Sequence, residues 1–84
     1  MQVELLESVA KAAATSLRMG MTAQGSEALA RFVDLLLPHL ASDPALAARC
    51  SSVLTPILGA QERGDVLGVA DGLEHELLPI LRAP

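Results

Sequence analysis

Apolar residues recur along this chain at three- and four-residue spacings, and no segment alternates with a period of two. That pattern predicts amphipathic helices packed on a shared core, not strands. Four helices are expected, near residues 2–19, 23–40, 44–63 and 65–82. In the first, from about Gln2 to Met19, the charges Glu4, Glu7, Lys11 and Arg18 fall in one narrow stripe. Leu6, Val9, Ala10, Ala13 and Leu17 lie opposite. Glu7 and Lys11 stand four apart in the order that favours a surface ion pair. The second helix sets Glu27, Arg31 and Asp34 against Leu29, Phe32, Val33, Leu36 and Leu40. The third places Leu46, Cys50, Val53, Leu54, Ile57 and Leu58 on one face. The fourth carries Val66, Val69, Ala70, Leu73, Leu77, Ile80 and Leu81.

Start and stop signals divide these segments. Gly20 and Gly64 suit the left-handed residue that follows a helix. Thr22 or Ser26 is expected to cap the second helix, Asp43 the third, with Pro44 in its first turn, and Asp65 the fourth. Arg63-Gly64-Asp65 spells an adhesion tripeptide, but it reads more economically as a helix end, a turn glycine and a cap. Connections of two to six residues favour antiparallel neighbours. The expected fold is all-α and occupies residues 1–84 as a single helical domain. It is an up-down four-helix bundle or two packed αα-hairpins. Its core should include Val9, Phe32, Leu36, Leu54, Leu73 and Leu77. Pro38, Pro56 and Pro79 fall on polar sides, where a bend wraps a helix around the core. A shift of 41 residues superimposes Leu5 on Leu46, Leu17 on Leu58 and Leu36-Leu37-Pro38 on Leu77-Leu78-Pro79, which suggests two similar hairpins.

Composition narrows the function classes. The hydrophobic fraction is 51%, so the chain is not of the apolar-poor, disordered kind. A net charge of −4, with no Trp or Tyr and one Phe, argues against nucleic-acid binding. It also argues against an anionic membrane surface. A single Cys cannot staple the fold. Together with a start that lacks a basic signal-peptide region, it points to the cytoplasm.

The most polar cluster is Asp71, Glu74, His75 and Glu76. Asp71 and His75 stand one helical turn apart, a spacing that can hold a metal. The paired Glu-x-x-His ligands of a helical metal site are absent. A solvated acidic face is the expected reading, with no metal, no cofactor and no small-molecule substrate. Cys50 sits among Leu46, Val53 and Leu54, where a thiolate is disfavoured. Gly68 and Gly72, four apart, suit either loose surface or close approach of another helix.

Residues 71–81, Asp-Gly-Leu-Glu-His-Glu-Leu-Leu-Pro-Ile-Leu, follow the polar turn Gln61-Glu62-Arg63-Gly64-Asp65. This stretch resembles the D-x-L-E-x-E-L-x-P-x-L ending of small bacterial all-helical proteins of unassigned function. His75 stands where those proteins usually carry an aromatic residue. The resemblance implies an all-α fold and no particular activity. The layout as a whole, a short acidic helical bundle, is also similar to flagellar and type III export chaperones.

The apolar excess is the main functional clue. A domain of this size leaves some of it exposed, and exposed apolar patches mark interfaces. The chain is therefore expected to be a non-enzymatic helical interaction module, adaptor or chaperone-like. It would form a homodimer or bind a helical protein partner, through Val3, Ala14, Met19, Leu35 and Leu37. The alternative is a small acid–base or metal-dependent enzyme using Asp71, Glu74, His75 and Glu76. Convergence of those four with His39 in one pocket would favour it.

Overall fold

A computed structural model describes residues 3–83. Its helices are α1 (Val3–Arg18), α2 (Thr22–Ser42) and α3 (Pro44–Glu62), then a last helical stretch in three parts. These are α4 (Val66–Asp71), a π-helical turn (Gly72–Leu77) and α5 (Leu78–Arg82). No strand occurs among the described residues. The fold is all-α, as the periodicity predicts. Gln2, expected in the first helix, lies outside the described residues.

The turn chemistry largely follows the sequence. Gly20 and Gly64 have φ of +80° and +74°, the left-handed conformation that glycine enters without strain. The Asp43 carboxylate accepts the Leu46 N–H at 3.0 Å, and the Asp65 carboxylate accepts the Gly68 N–H at 3.0 Å. Arg63-Gly64-Asp65 is thus a helix end and a cap. Helix α2 differs: it starts at Thr22, with Met21 in the capping position and no side-chain cap. Neither Thr22 nor Ser26 caps it, because both lie inside the helix.

Helix α1 packs along α2 and also against α4, the π turn and α5, while α3 packs mainly on α4 and the π turn. The core joins Leu6, Ala10 and Leu17 of α1 to Phe32 and Leu36 of α2, Cys50 and Ile57 of α3, and Leu73, Leu77 and Leu78 of the last stretch. Ala10, Ala13 and Ala14 are wholly buried. Their small size lets α1 approach its neighbours closely. Leu17 takes this further, packing onto Gly25, where a Cβ would lie 2.6 Å from Leu17 Cδ2. Of the six expected core residues, five are buried; Leu54 is only partly buried, on the edge of the core. Leu58, expected on the dry face of α3, is half exposed. Helix α3 lies at one side of the bundle and touches α2 little, so a narrower stripe of it is covered.

The π turn rearranges the facing of the last stretch. The Leu78 N–H bonds the Leu73 carbonyl, five residues back in place of four. Pro79 follows at once. A proline ring clashes with the carbonyl four residues before it in a regular helix, and the wider turn relieves that crowding. The extra residue rotates everything beyond it. Leu78, which is not among the residues expected on the dry face, is fully buried, and Ile80, which is, is only partly buried. The residues that the 41-residue repeat superimposes are not buried alike. Leu37 is exposed and Leu78 buried; Leu17 is buried and Leu58 exposed; Leu5 is exposed and Leu46 buried. Pro38, Pro56 and Pro79 are all exposed, on the outer side as expected. No helix among the described residues is long and apolar enough to cross a membrane.

Candidate functional site

A groove of about 420 Å³ opens between α1 and α2. Leu5, Ser8, Val9 and Ala12 line it from α1, and Gln24, Glu27, Ala28 and Arg31 from α2. Each set recurs every three or four residues, so each forms one ridge of its helix. Small side chains at Ser8, Ala12 and Ala28 leave the space open. Leu5, 42% exposed, stands over one end. Glu27 and Arg31 are exposed on the rim.

The five residues expected at an interface do not form one patch. Met19 is 69% exposed and Leu37 is 53% exposed. Val3 is half-buried, and Leu35 is partly buried against the core. Ala14 is wholly buried, so its place is in the core and not at a surface. A wheel drawn for α1 alone puts it beside the charged stripe. That edge of α1 is covered because α1 has neighbours on two sides. Val3 and Met19 stand at opposite ends of α1, about 24 Å apart at 1.5 Å per residue. What the sequence reading missed is the Leu5, Ser8 and Ala12 ridge, with Glu27 and Arg31 across from it. The signal was available: Ser8 and Ala12 are small and one turn apart, and Glu27 and Arg31 are opposite charges one turn apart.

The charged stripe of α1 is not simply wet. Arg18 donates to Asp71 Oδ1 at 3.0 Å and to Glu74 Oε1. Those hydrogen bonds, to Asp71 first and then to Glu74, hold the Arg18 guanidinium above its ordinary pKa. Glu7 receives Arg82 in bidentate fashion, from Nε at 3.0 Å and from the terminal nitrogen at 2.9 Å, and also Lys11 at 3.0 Å. The hydrogen bond from Arg82, then that from Lys11, lowers the Glu7 carboxyl to about 2. The stripe therefore ties α1 to the last helical stretch at two places.

Two of the four cluster residues, Asp71 and Glu74, are thus engaged by Arg18, while His75 and Glu76 are exposed. His39 lines a separate concavity with Ser42, Asp43 and Leu46 and does not converge with them. Among the described residues, no three His, Cys, Asp or Glu side chains are grouped to hold a metal ion. Cys50 is buried, and that burial pushes its thiol pKa up, away from nucleophilic chemistry. Gly72 is buried under Ile57 of α3, the close helix approach its spacing allowed. Gly68 sits beneath the capping carboxylate of Asp65.

Compared with protein-family models, curated proteins and solved structures, the chain finds no match.

Proposed function

We propose that this protein is a non-catalytic helical interaction module, an adaptor or chaperone-like protein that docks a protein partner along the α1–α2 groove. The observation that carries this reading is the groove itself. It offers small side chains along its lining, an exposed leucine and opposite charges, a surface suited to the ridge of another helix. The carboxylates that an acid–base reading would use are partly taken by Arg18. A net charge of −4 and the lack of an aromatic platform direct the reading to protein, not nucleic acid or anionic membrane. A bacterial, cytoplasmic setting belongs to the same proposal, supported by the resemblance of residues 61–81 and by a lone, buried thiol.

A photo-crosslinking residue at Ala12, in the groove, tests it against one at Thr55, on the outer face of α3. In cells, the Ala12 probe is expected to give a discrete protein adduct, and the Thr55 probe none. Absence of any adduct from Ala12, or equal labelling from both, overturns the reading.

A further inference from the structure

Two turns of this fold are built alike, bond for bond. At the end of α1 the Gly20 N–H bonds the Leu17 carbonyl at 3.1 Å, and the Met21 N–H bonds the Ser16 carbonyl at 2.8 Å. At the end of α3 the Gly64 N–H bonds the Gln61 carbonyl at 3.1 Å, and the Asp65 N–H bonds the Ala60 carbonyl at 2.8 Å. These are the paired bonds that close a helix on a left-handed glycine. The residues around the glycine differ. Arg63 and Asp65 are exposed and polar, and Asp65 caps the next helix. Met19 and Met21 hold the same two positions, 69% and 41% exposed, and the Met21 side chain caps nothing. The apolar contact that often accompanies such a turn would join Met21 to Ser16 or Thr15, and both of those are polar. Neither methionine is among the buried or partly buried side chains of the core. The backbone of this turn is held without the two thioethers.

We propose that Met19 and Met21 form a reversible oxidation site, at which hydrogen peroxide or an organic hydroperoxide converts both thioethers to sulfoxides while the fold stays intact. A lone pair of the methionine Sδ attacks one peroxide oxygen. The S–O bond forms and the O–O bond breaks. The proton on the transferred oxygen passes to the leaving hydroxide or alkoxide, which departs as water or an alcohol. Each sulfur gives up two electrons, and the peroxide takes them. The apolar tip of each side chain becomes a polar acceptor, so the turn changes character without losing a bond that holds it. Cys50, the one thiol of the chain, is fully buried and is spared. Neither methionine lines the α1–α2 groove, so the site is independent of what docks there.

A time course of the full chain in hydrogen peroxide, read by peptide mapping in a mass spectrometer, tests this. N-acetylmethionine amide in the same tube sets the rate of an unhindered thioether. Met19 and Met21 are each expected to gain one oxygen within roughly threefold of that rate, Met19 the faster. Cys50 is expected to react only when urea unfolds the chain. The helical circular dichroism and urea midpoint of the oxidised chain are expected to match those of the untreated one. Two methionine sulfoxide reductases, one for each sulfoxide epimer, are expected to remove both oxygens. Met1 lies outside the described residues; the variant Met19→Leu with Met21→Leu leaves it as the sole methionine and isolates its effect. Slower oxidation than that limit at either Met19 or Met21 overturns the proposal. So does oxidation of Cys50 in the folded chain at the pace of the methionines. A loss of helicity on oxidation that the double variant escapes, or sulfoxides that the reductases leave in place, also overturns it.

Discussion

Glycine shows how far the meaning of one residue depends on its neighbours. Where a helix interior has open space, Gly→Ala stabilises by up to about 1 kcal/mol, because alanine loses less backbone freedom on folding. Gly59 fits that case: an added Cβ would meet only the flexible end of Arg63, at 3.3 Å. Gly72 does not, because its Cβ would press on the buried Ile57 side chain, which is β-branched and has no room to move. Gly59→Ala is therefore expected to raise the urea midpoint. Gly72→Ala is expected to lower stability by roughly 1–3 kcal/mol, as overpacking does. Both glycines are plain in the sequence, and nothing local separates them. The difference lies in which helix passes overhead.

At the scale of elements, α1 is tied to the end of the chain by Glu7 and Arg82, and pH reads that tie. The Glu7 carboxyl falls from 4.5 when free to about 2 when folded. A depressed acid stabilises the fold above its unfolded pKa, and that stabilisation disappears as pH falls through the folded value. Acid melts of the wild type are thus expected to lose stability between about pH 4.5 and 2. Glu7→Gln should flatten that part of the profile. A side-chain carboxyl titration by NMR locates the midpoint, and a Glu7 value near 4.5 would remove the effect. The helix starts and stops were legible because Gly20, Asp43-Pro44 and Gly64-Asp65 act through bonds a few residues long. The π turn was not. Proline at position 79 announces a disturbance, but whether the helix bends, ends or widens depends on what the leucine just before it can bury. Here the wide turn brings Leu78 into the core.

At the scale of the whole molecule, α1 contacts helices on two sides, and this redraws the line between core and surface. Ala14→Glu would bury an unpaired charge at a wholly covered position and is expected to unfold the chain. Leu37→Glu places its charge on an exposed site and should shift stability by no more than about 0.5 kcal/mol. Far-ultraviolet circular dichroism during urea titration separates the two outcomes, and equal losses would mean that the facing of α2 is wrong. Both residues carried the same expectation in one dimension, as apolar positions at an interface. The amino-acid order by itself determined the all-α class, the helix limits and most of each buried stripe, because helix periodicity and capping are local, with forces spanning one turn. Tertiary structure alone decided that the stripe of α1 binds Arg82, Asp71 and Glu74, that Ala14 is covered, and that a groove opens between Leu5, Ala12, Glu27 and Arg31. Those features join residues up to 75 positions apart, and such pairings depend on how whole helices pack, which no short window of sequence contains.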